Sequence, residues 1–263
     1  MTMRHETIDL RTTDGVCPTH LFEPAREASW PGVVMFMDGL GIRPALFEIA
    51  ERLASNGYRV VMPDLYYRSG FPAPGPALFT DKALFEEWKT KVVPTVSIAN
   101  VMRDMRALLE LLDSRSARPG GPVGTVGYCM GGRMSIAAAG HFPDRVAAAA
   151  SYHASGLATD APDSPHLLAP VMQARVYVGG AIEDSGFDDA QKQRLDEALS
   201  AAGVEHKVET YPARHGWVPS DTPVHDEAAT ERHWETLLAL FGNALSNRAG
   251  ADPSGADPSR RSG

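Results

Sequence analysis

Cysteine is scarce in this chain: Cys17 and Cys129 are the only two among 263 residues. A disulfide-stapled scaffold is thereby excluded, and in a reducing compartment both are expected as free thiols. Long apolar runs are also missing, none approaching the roughly 18 residues that a membrane-spanning helix needs. The opening residues, Met1-Thr2-Met3-Arg4-His5-Glu6-Thr7, carry neither the apolar stretch nor the small-residue cleavage site of a secretory signal, so a cytoplasmic location is expected. Positive charge is in deficit. The 25 Lys and Arg against 33 Asp and Glu give a net charge of −8, the opposite of a surface that tracks phosphates, and neither a nucleic acid nor a membrane is expected as partner. No group of His, Cys, Asp and Glu has metal-ligand spacing. The glycine-rich stretches lack the dinucleotide-binding order and the lysine of a phosphate loop, so no cofactor or metal is implied.

What is present is an ordinary globular composition, 43% hydrophobic and 22% charged, in a chain of a length that suits one large α/β domain. Short apolar runs bounded by turn residues alternate with stretches of helical period. That alternation predicts an α/β fold with a mostly parallel central sheet of about eight strands and helices on both faces. Strands are predicted at 33–37, 58–62, 123–126, 146–150, 175–178 and 205–211, with two weaker ones near 6–10 and 20–22. Helices are predicted over 44–54 and 97–112, from about Met134, over 188–202 and over 224–245. The Gly- and Pro-rich stretch 70–76 reads as an excursion above the sheet, a place where substrate sites are often bordered. Residues 1–246 are expected to form one domain. The remainder, 247–263, with Ala-Asp-Pro-Ser twice, is expected to be a disordered tail. A monomer or small homo-oligomer is expected.

The most informative stretch is Gly127-Tyr128-Cys129-Met130-Gly131-Gly132. It lies between a buried strand and a small-residue helix and has the form G-x-S-x-G with Cys in place of Ser. A nucleophile on such a sharp strand-to-helix turn needs glycines around it because flanking side chains do not fit. The helix that follows offers free backbone N–H groups and a positive dipole end, which favour a thiolate and can hold an oxyanion. Cys129 is the candidate nucleophile. Cys17, before Pro18 in a strand region, has no such frame and is read as structural.

A thiol in this setting needs an imidazole to move protons and a carboxylate to orient the imidazole. The order nucleophile, acid, histidine puts the base after the final strand and before the last helix. His215, in Tyr211-Pro212-Ala213-Arg214-His215-Gly216-Trp217, occupies that place. His206 lies on the strand itself, and His225 and His233 are assigned to the last helix. His153, just after a strand, is a lesser candidate as a substrate contact. The acid is expected in the loop after the strand at 175–178; Asp184 is the choice, with Glu183, Asp188 and Asp189 close by and the last two suited to a helix N-terminus.

These residues together resemble the dienelactone hydrolase family of α/β-hydrolases. Four blocks carry the resemblance, which extends over nearly all of residues 5–245: Asp38-Gly39-Leu40-Gly41, Gly57-Tyr58 through Pro63-Asp64-Leu65-Tyr66, Gly127 to Gly132, and Arg214-His215-Gly216-Trp217. It implies hydrolysis of a small-molecule ester or lactone through a triad of Cys129, His215 and Asp184, with oxyanion donors at Gly39 and Met130. Prototypes carry at the position of Asp38 a glutamate that contacts the resting thiol. Asp38 is therefore a candidate support for the nucleophile, by contact with the thiol or by bracing the oxyanion loop. The family's substrate-binding arginine after the catalytic histidine has no counterpart in Val218-Pro219-Ser220-Asp221. Arg68 and Arg133 are read as surface arginines. A catalytically silent relative that binds a small molecule as a sensor is the alternative.

Overall fold

The computed structural model describes residues 2–26 and 28–245. The chain opens on a hairpin, β1 (Met3–Thr12) and β2 (Gly15–Pro24), longer than the two short strands expected there. Then follow β3 (Gly32–Phe36), α1 (Pro44–Ser55), β4 (Arg59–Pro63), α2 (Lys82–Lys91) and α3 (Ile98–Ser114). The second half runs β5 (Val123–Tyr128), α4 (Met130–His141), β6 (Val146–Tyr152), β7 (Arg175–Gly180), α5 (Asp189–Ala201), β8 (His206–Thr210) and α6 (Glu227–Leu245). All eight strands join one sheet in the order β1-β2-β4-β3-β5-β6-β7-β8. Strand β2 is antiparallel to both of its neighbours, β1 and β4, and all the other pairs are parallel. The predicted α/β architecture is thus the observed one.

Helices cover both faces, and two glycines show how. Gly32 and Gly124 lie on neighbouring strands with Gly32 opposite Val123, so they point to opposite sides of the sheet. A Cβ on Gly32 would sit 3.0 Å from Leu112 of α3, and one on Gly124 would sit 2.8 Å from Phe241 of α6. On the α6 side, α1 and α6 are joined by the Arg52–Glu231 ion pair and by Arg52 over the Trp234 ring. Strands β3, β4, β5, β6 and most of β7 are buried, which is why they read as continuous apolar runs rather than alternating ones.

Three expectations need correction. Helix α4 begins at Met130 and not near Met134, because Gly131 and Gly132, which look like helix breakers, are placed there for close packing. Helix α6 begins at Glu227 and not at Val224: Asp226 Oδ1 accepts from the Ala229 N–H at 2.8 Å and caps it. His225 therefore precedes the helix, with Nδ1 3.0 Å from the Trp217 carbonyl. Arg68 is not a surface arginine. Its side chain is 10% exposed and bonds Asp104, itself buried, and Asp14. Arg133 does lie nearer the surface, paired with Asp163. The expected tail at 247–263 falls outside the described residues. Among those described, no helix is long and apolar enough to cross a membrane.

Candidate active site

Cys129 sits between β5 and α4 with φ 52° and ψ −118°, a left-handed backbone that an L-residue adopts only at some cost. Two close approaches force it. A Cβ on Gly127 would lie 2.0 Å from the Gly131 carbonyl oxygen, and one on Gly131 would lie 2.4 Å from the Phe36 oxygen and 2.5 Å from that of Met37. No side chain fits at either position, so α4 starts pressed against the end of β3. The Cys129 N–H donates to the Tyr152 carbonyl at 3.0 Å, fixing the turn, while the thiol remains partly exposed.

The candidate base arrives from the far edge of the sheet. His215 follows β8, and Gly216 behind it has φ 100°, which lets the chain turn back and aim the ring. His215 Nδ1 lies 2.7 Å from Asp184 Oδ2, and the Cys129 side chain lies close enough to act on the imidazole's proton affinity. Burial works against a charge on His215, but the hydrogen bond and charge of Asp184 and the nearby Cys129 side chain outweigh it and raise its pKa to about 10. Asp184 lies in the loop after β7, as expected, and its Oδ1 accepts from the Gly186 N–H at 2.9 Å. Burial pushes its carboxyl up, yet His215 and that N–H bring it below its ordinary value. The competing acids are occupied elsewhere. Asp188 caps α5 through the Gln191 N–H, Asp189 pairs with Lys192, and Glu183 pairs with Arg214.

The third part is the loop after β3. Because Gly131 abuts Phe36 and Met37, the loop 38–41 lies beside the start of α4. Neither the Gly39 N–H nor the Met130 N–H meets an acceptor among the described residues, the condition an oxyanion donor must satisfy. Asp38 is buried in this loop. Its two oxygens accept from Arg43 at 2.7 and 2.9 Å, and Oδ1 also accepts from the Leu40 N–H at 2.9 Å. Of the two roles open to Asp38, these contacts match bracing of the loop.

Sequence reasoning misses four residues here. Tyr66 donates from its hydroxyl to the Gly39 carbonyl at 2.6 Å, and Trp88 Nε1 donates to that hydroxyl at 2.9 Å. Burial holds the Tyr66 phenol far above its ordinary pKa, so it stays a donor. Trp88 belongs to α2, a helix without a single buried residue, and its apolar face gives no period strong enough to reveal it. Arg43 and Asp221 are ordinary charged residues in the sequence, and only the fold brings them together. The Tyr66 block is the one whose signal, Pro63-Asp64-Leu65-Tyr66, is visible beforehand.

His153, the lesser candidate, is fully buried and stands behind His215, with ring centroids 5.4 Å apart and its edge on Trp217 at 4.8 Å. Burial, reinforced by the charges of His215 and His233, pushes its pKa well below the ordinary value. It is a neutral wall behind His215 and does not lie exposed on the rim as a substrate contact would. Cys17 is completely buried, and burial raises its thiol to about 12. Brief treatment with iodoacetamide near neutral pH is therefore expected to label Cys129 and spare Cys17. Peptide mapping checks this, and equal labelling would contradict it.

A family model described as the dienelactone hydrolase family matches residues 17–245. Among curated proteins, a "Putative carboxymethylenebutenolidase" of Synechocystis sp. is 26% identical over 258 residues, covering 91% of this chain and 99% of that one. A carboxymethylenebutenolidase of Rhodococcus opacus is 23% identical over 256 residues, covering 93% and 94%. Among solved structures, a "Putative Dienelactone Hydrolase" from Klebsiella pneumoniae subsp. pneumoniae superposes with a TM-score of 0.81 at 21% identity, covering 92% of this chain and 99% of its own. A dienelactone hydrolase-like promiscuous phosphotriesterase from metagenomic libraries does so with a TM-score of 0.73 at 22% identity, covering 93% and 100%. At these identities the solved structures speak for the fold alone.

Proposed function

The chain belongs to the dienelactone hydrolase family and is a carboxylic ester hydrolase, and from that premise we propose that it cleaves a small ester or lactone with Cys129 as nucleophile, His215 as acid and base, and Asp184 as the orienting carboxylate. One observation carries the reading: a cysteine on a strained elbow lies close enough to His215 to raise its pKa, and the Nδ1 of that histidine is 2.7 Å from the Asp184 carboxylate. With its pKa raised to about 10, His215 keeps the proton that the attacking sulfur gives up.

The chemistry follows from where that proton sits. The thiolate attacks the ester carbonyl, forming the sulfur–carbon bond and placing negative charge on the carbonyl oxygen. Gly39 and Met130 N–H groups stabilise that charge. Collapse breaks the carbon–oxygen bond, and His215 gives its proton to the departing alkoxide. The thioester that remains is uncharged, so one of the groups that raised the His215 proton affinity is gone. The neutral imidazole, still held by Asp184, now takes a proton from water, whose hydroxide attacks the thioester. Collapse releases the acid and restores the thiolate, with one water consumed for each ester cleaved.

A chromogenic short-chain aryl ester tests this directly. Wild-type protein is expected to turn it over, and rapid acid quenching is expected to trap an acyl group on the peptide containing Cys129. Turnover with the acyl group on another residue would overturn the assignment, and saturable binding without turnover would favour the silent sensor. Asp38 has an expected role in stability as well. Asp38→Ala leaves the buried Arg43 guanidinium with Asp221 as its sole ion-pair partner and is expected to cost about 3 kcal/mol or more. Denaturant unfolding measures it, and a loss under about 0.5 kcal/mol would contradict the bracing role.

A further inference from the structure

We infer that Arg43 is a positioning residue that holds the oxyanion loop and the loop of the base in register, an inference that rests on the hydrolase reading above. Arg43 immediately precedes α1 and is 7% exposed. A guanidinium has five N–H donors, and here each has its own acceptor. Nη1 donates to Asp38 Oδ1 at 2.7 Å and to the Gly41 carbonyl at 3.1 Å. Nη2 donates to Asp38 Oδ2 at 2.9 Å and to Asp221 Oδ1 at 3.0 Å. Nε donates to Asp221 Oδ2 at 2.7 Å. Both carboxylates are thus gripped by two parallel bonds, the arrangement that fixes orientation as well as distance.

The two ends of this clamp lead to the two halves of the chemistry. Asp38 directly precedes Gly39, and its Oδ1 also accepts from the Leu40 N–H, so the peptide that offers the Gly39 N–H is anchored on either side. Asp221 lies in the loop that continues from the base. Its neighbour Thr222 donates from Oγ1 to the Gly216 carbonyl at 2.8 Å, and Gly216 follows His215. A continuous path of buried or half-buried polar contacts therefore links the oxyanion donor to the base, bridging positions 178 residues apart. Lysine cannot reproduce it, because an ammonium has three donors on one atom and no planar fork.

This placement makes a distinction that experiment can read. Charge on the carbonyl oxygen develops during attack on an ester, so a slackened loop lowers turnover. Alkylation of the thiol by iodoacetamide forms no oxyanion and needs no such loop. Arg43→Lys and Asp221→Asn are compared with wild type for hydrolysis of p-nitrophenyl acetate, for iodoacetamide alkylation of Cys129 and for amide hydrogen exchange of peptides spanning 38–41. Asp221 is partly exposed, so its variant tests the clamp even where Arg43→Lys folds poorly. The expected result is a fall in kcat of about tenfold or more, with KM and alkylation within about twofold and faster exchange at 39–41. Unchanged turnover, or turnover and alkylation falling in step, would overturn the assignment. A wild-type protein inactive on esters would instead sink the hydrolase reading, and exchange at 39–41 unchanged by Arg43→Lys would then overturn the clamp by itself.

Discussion

Cys129→Ala is expected to lower ester turnover by about a thousandfold or more, while the protein keeps its secondary structure and unfolds at nearly the wild-type denaturant concentration. The two halves of this expectation rest on different features. The loss follows because, in the mechanism proposed above, the Cys129 sulfur forms the bond to the acyl carbon and a methyl cannot replace it; what would remain is the proposed oxyanion donors acting on water. The preserved fold follows because the elbow is held by backbone contacts, the Cys129 N–H on the Tyr152 carbonyl and the glycines packed on Phe36 and Met37. Removing a partly exposed sulfur opens no sealed cavity in the core. Steady-state kinetics with circular dichroism checks both. Activity within about threefold of wild type would remove Cys129 from the chemistry.

The parts of this molecule that are legible in its sequence are those fixed by local chemistry. The elbow is readable because glycine on both sides of a nucleophile answers a steric demand, and the demand appears as sub-3 Å approaches at Gly127 and Gly131. The buried strands are readable as apolar runs, and the meeting of Asp184 with His215 follows from the loops after β7 and β8 leaving the same side of the sheet. The boundary of α4 is misread for the same reason that the elbow is found: glycines disfavour a helix on average, yet here they permit one to begin against another strand. The non-local polar contacts leave no such trace. Arg43 meets Asp221 across 178 positions, and Arg68 meets Asp14 across 54. A charged residue reads as solvated until the fold supplies its partner. Trp88 is hidden differently, on a helix that covers the site from outside and buries none of its own residues.

Asp184→Asn is expected to cut turnover by roughly a thousandfold or more, and to do so with a change in pH dependence that no general loss of stability would produce. An amide can hydrogen-bond His215 Nδ1 by accepting, as the carboxylate does, or by donating its NH2, which selects the wrong tautomer. In either case it supplies no charge to support the imidazolium. Asp184 is among the groups that raise His215 to about 10, so its removal lowers that value, and the alkaline limb of kcat/KM is expected to move from near pH 10 toward neutrality. The stability contribution has matching signs. His215, raised in the folded protein, stabilises fully below its ordinary value near 6.5 and loses that contribution as pH rises through about 10. Asp184, lowered in the folded protein, contributes above its ordinary value near 3.8 and loses it as pH falls through its depressed one. The pair therefore supports the fold most between about pH 3.8 and 6.5, and Asp184→Asn is expected to flatten the stability profile on either side of that window. Asp188→Asn and Asp189→Asn are the controls. Asp188 serves a helix cap and Asp189 an exposed ion pair, so turnover in both is expected within about threefold of wild type. A larger defect at Asp188 than at Asp184, or an alkaline limb that stays in place in Asp184→Asn, would show that the carboxylate at 184 does not govern the base.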